Sequence, residues 1–294
     1  MLLALKDTKL VTGQWDLSEI ENGRLDVPEE ADQCSGWIVL SNPFIFDTEQ
    51  WLSLWNKALP GNVTIGGLAS GGAAGNEVVL FHNHPVDHGA IGIGFQGPVR
   101  LGALVSQGCR PIGDPLTITR AQGNILLRLG AQPAYEVLQS AWEELGEKER
   151  VQAQGNLFVG IASSEYVEEF TRGDFLVRNI LGADPKTGAV AIGGFPRVGQ
   201  TLQYQLRDPQ TAHEDLVEIS EGIARKGPKP FASLLFTCTG RGSALFGQKG
   251  HDAEVLQQRL GEHPMAGFFC NGEVGPVGGL PSLHGYTASA ALFY

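Results

Sequence analysis

Apolar residues fall into short runs punctuated by glycine and proline, which predicts a chain of alternating strands and helices. Trp37-Ile38-Val39-Leu40 is a continuous apolar run of buried-strand type. Asp47, with Gln50 three residues on, opens a capping box. Trp51, Leu54, Trp55 and Ala58 follow at i, i+3, i+4 and i+7, one buried helical face that Pro60-Gly61 ends. Val63-Thr64-Ile65 and Val78-Val79-Leu80-Phe81 predict two further strands around a glycine-rich loop. Residues 1–33 are polar, acidic and weakly periodic, which predicts an edge segment or a partly mobile arm.

The last part of the chain repeats this order. Leu234-Leu235-Phe236 predicts a strand, and Asp252 is the expected N-cap of a helix carrying Val255, Leu256 and Leu260. His263-Pro264 ends it, Met265 to Phe269 is the next strand, Asn271-Gly272 a turn, and Ala288 to Phe293 the closing strand. A second echo links Gly89–Gly94 with Gly188–Gly193, each followed by a proline, an arginine and a β-type stretch at Leu101–Ser106 or Leu202–Leu206. Pro133 predicts a helix start with Ala134, Val137, Leu138, Ala141 and Leu145 as its stripe. Thr211 and Glu214 form a capping box ahead of Leu216, Ile219 and Ile223. The pattern predicts an α/β (α+β) protein of two related lobes, 1–129 and 130–294, with mixed β-sheets flanked by helices.

Charge and cysteine content narrow the function classes. The 294 residues carry a net charge of −11 without a basic cluster, which excludes a phosphate backbone as partner. No apolar run approaches the ~18 residues of a membrane span. The four cysteines (Cys34, Cys109, Cys238, Cys270) are scattered with no C-x-x-C, against a zinc site or disulfide scaffold and for a reducing, cytoplasmic setting. Gly92 to Gly97 matches G-x-G-x-x-G, but Pro98 and a β-rich run follow where a dinucleotide site needs a helix. Gly242 to Lys249 misses a P-loop, and Gly67 to Gly71 misses a nucleophile elbow. His82-Asn83-His84 with Asp87 and His88 has metal-ligand residue types, but no distant ligand joins them. No metal or cofactor is expected.

Two late stretches carry the candidate chemistry. Cys238-Thr239-Gly240-Arg241-Gly242 follows a buried strand, where Gly240 lets backbone approach an anion and Arg241 offers a fork to a carboxylate or phosphate. Cys270-Asn271-Gly272-Glu273 ends the paired strand, and His284 follows in Leu283–Thr287. By the repeat these segments converge into a rim with an anion receptor, Arg241, and a carboxylate, Glu273, suited to a zwitterion, with Cys270 and Asn271 as its floor. Arg178, amid apolar neighbours, joins the ligand-contact set or else pairs structurally with Asp184 or Asp208. The rival reading is a cysteine-dependent hydrolase or transferase in which Cys238 or Cys270 pairs with His284.

Gln107–Gly113, Gly173–Pro185, Arg207-Asp208, Cys238–Gly242, Gly267–Gly275 and Leu283–Thr287 together resemble the FIST family, its stand-alone cyanobacterial and plant-like members most of all. The resemblance spans roughly residues 37–294. It implies sensing of a small ligand, proposed to be an amino acid, in signal transduction, with a separate protein as signalling partner. It also implies further strand and helix before Trp37, so an incomplete amino-terminal lobe is expected. It carries over no catalytic residues.

Overall fold

The computed structural model of the chain describes residues 4–71, 80–82, 84–86 and 89–294. Along the chain come first β1 (Lys9–Trp15), α1 (Leu17–Glu21), β2 (Trp37–Ser41), α2 (Thr48–Ala58), β3 (Thr64–Leu68), β4 (Leu80–His82), β5 (His84–Val86), β6 (Ala90–Gln96) and β7 (Leu101–Gln107). Next come β8 (Cys109–Gln122), β9 (Ile125–Leu129), β10 (Gln132–Pro133), α3 (Ala134–Glu143), α4 (Glu147–Ala153), β11 (Leu157–Ala162), β12 (Phe175–Asp184), β13 (Ala189–Ile192) and β14 (Thr201–Arg207). The chain closes with α5 (Pro209–Lys226), β15 (Ala232–Cys238), α6 (Gly242–Phe246), α7 (His251–Leu260), β16 (Met265–Cys270), β17 (Glu273–Val277), β18 (Leu280–His284) and β19 (Thr287–Phe293). Two compact units result: residues 1–106 with 213–294, and residues 107–212.

The first unit stacks two mixed sheets, ordered β1-β6-β2-β3-β17-β18 and β16-β15-β19-β7. Alternation along the strands builds the layers. Ile38 and Ile65 face Phe236, Cys270 and Phe293 between the sheets. Trp37 and Val39 point outward onto Trp51 and Trp55 of α2. Leu235 and Leu292 point the other way onto Leu216 of α5 and Leu256 of α7. β2–β3 and β15–β16 are parallel pairs, each joined through helix, and each neighbours an antiparallel strand, β6 or β19. The first repeat is therefore real in three dimensions. It extends to a glycine in the same register: a Cβ on Gly66 would lie 1.8 Å from the Val39 carbonyl oxygen, and one on Gly267 1.8 Å from that of Leu235. The second echo has no such counterpart, since β6 lies between β1 and β2 while β13 lies between β12 and β9.

Of the two readings of the amino-terminal segment, edge segment or partly mobile arm, the structure shows the edge: β1 is the outer strand of the first sheet. β1 pairs antiparallel with β6 over its whole length. Val11, Gly13 and Trp15 point inward at alternate positions, a period of two that the acidic composition obscures. Trp15 joins Trp37, Trp51 and Trp55 in a buried cluster with ring centroids 4.9–6.3 Å apart. Asp47 caps α2, accepting from Gln50 N at 2.9 Å, but the expected box is only half made, because Gln50 Nε2 donates to Ile20 O at 2.8 Å instead. Val78, Val79, Asn83, Asp87 and His88 lie outside the described residues.

The second unit is a sheet ordered β10-β9-β13-β12-β11-β14-β8, closed by a further β8–β9 pairing into a six-stranded barrel with β10 added at β9. Ile118, Leu126, Val159, Val190 and Leu206 fill it, and α3 packs on the same core through Ala134, Val137 and Ala141. Tyr204 Oη donates to Ala134 O at 2.8 Å. Two segments whose Gly, Pro and Arg residues read locally as turn are strand here: most of Gln107–Gly113 opens β8 and most of Gly173–Gly182 belongs to β12. Thr211 is not the cap of α5. The helix begins at Pro209, and Asp208 accepts from Thr211 N at 2.8 Å.

Candidate functional site

The site is built where β15 and β16 end side by side, with Cys238 opposite Cys270. The chain turns back at once: Thr239 N donates to Cys270 O and Arg241 N to Cys238 O, both at 2.9 Å. Gly240 N donates to Cys238 Sγ at 3.5 Å. Across the sheet interface, Glu273 opens β17 opposite Gly67 and His284. Gly67 must be glycine, because a Cβ there would lie 2.3 Å from Cys270 Sγ. Cys238, Arg241, Cys270 and Glu273 are thus brought together from two chain segments. Asn271 is exposed at the turn, its N–H donating to Leu68 O at 3.0 Å. His284 is buried, with Nε2 3.0 Å from Gly275 O.

Arg241 and Glu273 are each 0% exposed. Arg241 Nε and Nη2 donate to Asp252 Oδ2 and Oδ1 at 2.8 and 2.9 Å, and its guanidinium lies 5.3 Å from the Phe246 ring centroid. Asp252 also takes His251 Nδ1 at 3.0 Å, and His251 Nε2 meets His213 Nδ1 at 2.9 Å. Burial pushes the Asp252 carboxyl up, but the bonds from His251 and Arg241 outweigh it and hold it down at about 2. Glu273 Oε2 accepts from Thr287 N at 3.2 Å, while Glu273 Oε1 and Arg241 Nη1 have no hydrogen-bond partner among the described residues. Burial raises the Glu273 carboxyl well above the usual range, against the lowering influence of Thr287 N–H, Arg241 and Cys238.

Asp252 is a correction with consequences. The N-cap of α7 is Gly250, in the left-handed region at φ 73°, not the expected Asp252, which stands in the first turn of the helix. It therefore turns its carboxylate onto Arg241. The cysteine nucleophile reading meets an obstacle in the same cluster. Burial, then Glu273 and Cys238, push the Cys270 thiol well up, the opposite of what a thiolate nucleophile needs. Cys238 and Cys270 are both buried. Arg178 belongs to the second unit, on β12 opposite Val159, with Nη1 donating to Val177 O at 3.1 Å. Its expected partners are engaged locally, Asp184 by Lys186 and Thr187, Asp208 by Thr211 and Arg110.

Beside the cluster opens a cleft of about 470 Å³. Its floor is Leu235 and Thr237 of β15 and Met265–Phe269 of β16; its other walls are Gly242 and Phe246 of α6 and His251, Asp252, Ala253 and Gln257 of α7. Phe246 stacks on His251, centroids 3.6 Å apart at 10°. Neither Phe246 nor His251 was among the expected site residues. The signals were His251-Asp252 before an amphipathic helix and two adjacent phenylalanines on one strand, which cannot both face one core. Phe268 and Phe269 are 38% and 48% exposed.

A FIST N domain matches residues 1–132 and a FIST C domain residues 134–276. The chain belongs to the FIST family. FIST domains are sensory and signal-transduction domains. Uncharacterized proteins of Mycobacterium tuberculosis and Mycobacterium bovis are 40% identical to this chain over 258 residues, 87% of it and 67% of their own length. No helix among the described residues is long and apolar enough to cross a membrane.

Proposed function

We propose that this FIST protein is a small-ligand sensor whose receptor is the cleft between β15–β16 and α6–α7. The carrying observation is the cleft itself: about 470 Å³, aromatic-walled, sharing Asp252 with the buried Arg241 cluster. Pockets of ~300–1,000 Å³ hold ligands of small-molecule size. In this reading Cys238, Gly240, Arg241, Cys270, Asn271, Glu273 and His284 form the structure behind the cleft. Arg241, by holding Asp252, fixes the start of α7 and so one wall. Arg241 and Glu273 are fully buried and do not line the cleft, so they support its walls rather than receive the charged ends of an amino acid. Output passes through α6. A ligand on Phe246 acts on a five-residue helix, and the altered surface is read by a separate signalling protein.

Ligand binding to the folded state raises apparent stability by mass action, about 2.7 kcal/mol at a hundredfold excess over Kd. A thermal-shift panel of amino acids, nucleotides, metals and uncharged aromatics on the full chain tests the reading. At least one compound is expected to raise Tm in the wild type and to lose that effect in Phe246→Ala. A panel without any such compound removes the sensor reading.

A further inference from the structure

The cleft's walls say which ligands fit, given that the cleft is the receptor. Its charged residue is already neutralised: Asp252 takes Arg241 through two bonds and His251 through a third. The remaining nitrogens and oxygens of its longer polar side chains are also engaged. His251 Nε2 meets His213 Nδ1, while Gln257 donates to His263 O at 2.8 Å and accepts from His263 N at 3.1 Å. One wall side chain differs. Thr237 is 5% exposed, and its Oγ1 has no hydrogen-bond partner among the described residues. The same cleft is lined by Leu235, Phe246, Met265, Phe268 and Phe269.

A charged ligand group entering such a place gives up its hydration and meets no free counter-charge, which is costly. An aromatic ring meets ring faces and edges at no such cost. A buried hydroxyl without a partner gains from one added hydrogen bond. We infer that the cleft takes an uncharged, flat, largely apolar molecule whose single hydrogen-bonding group meets Thr237 Oγ1.

Indole, N-methylindole and L-tryptophan share one ring system and separate the features. Calorimetric titration of the full chain is expected to show indole binding, N-methylindole about 5- to 10-fold weaker because its donor is gone, and tryptophan weaker still. Thr237→Val keeps the β-branched shape; it should weaken indole by the same factor and leave N-methylindole unchanged. Thr237→Ser restores the hydroxyl and should restore the difference should the valine variant misfold. Tryptophan binding more tightly than indole, or an indole to N-methylindole ratio near one in the wild type, overturns the inference. If none of the three binds while another compound of the thermal panel does, the ligand class is wrong and the sensor reading stands. If nothing binds, the sensor reading itself fails.

Discussion

At the scale of single residues, the Arg241–Asp252 pair sets the behaviour of the site. Removing one member of a buried, hydrogen-bonded ion pair leaves the other uncompensated and costs about 3–5 kcal/mol. Asp252→Ala should lower unfolding stability by that amount in a urea titration. Asp252 also writes a pH dependence. Its folded value, about 2, lies below the unfolded ~3.9, so its contribution is present above pH ~4 and is lost as pH falls towards 2. Acid titration of stability should show that limb in the wild type and lack it in Asp252→Asn. Glu273 works with the opposite sign. Its folded value is raised by burial, so stability declines as pH rises above the unfolded ~4.3. Glu273→Gln should flatten that decline and leave the protein at least as stable as wild type at pH 8, read from denaturation midpoints.

At the scale of elements, glycine decides how closely paired strands approach. Gly66 and Gly267 occupy matching positions in the two parallel pairs, each with a neighbouring carbonyl where a Cβ would go. Gly267→Ala should cost at least about 2 kcal/mol, because backbone rather than a flexible side chain must move. Gly222 in α5 is the contrast. Nothing lies within 4 Å of its would-be Cβ, so Gly222→Ala should stabilise by about 0.5–1 kcal/mol through helix propensity. The same denaturation series checks both signs. Most strands and helices were legible at this scale because hydrophobic period is a local property. α2 was read down to its cap, and β15, β16 and β19 to within a few residues. β8 and β12 were missed because Gly, Pro and Arg residues in them read as turn, and barrel pairing overrides that preference.

At the scale of the whole molecule, each compact unit draws on both family domains. The amino-terminal family domain contributes β8–β10 to the barrel that β11–β14 complete, and the carboxyl-terminal segment contributes β17 and β18 to the sheet that begins with β1. Cutting between residues 132 and 134 opens the barrel and leaves unpaired edges in both pieces. Fragments 1–132 and 133–294 should each lack dispersed amide resonances when made alone. They should regain the native spectrum when co-expressed, and a folded lone fragment would contradict this interlock.

The sequence by itself determined the alternation of strand and helix, the repeated strand–helix–strand order, the family, and the convergence of Cys238 and Arg241 with Cys270 and Glu273. Each of these follows from local period, turn chemistry or paired order along the chain. Only the tertiary structure decided that Arg241 faces Asp252, that Trp15 completes a buried cluster, and that the aromatic cleft stands beside the ionic cluster. Those outcomes depend on which faces meet after the sheets stack, and a side chain's partner across a layer leaves no mark on its own segment.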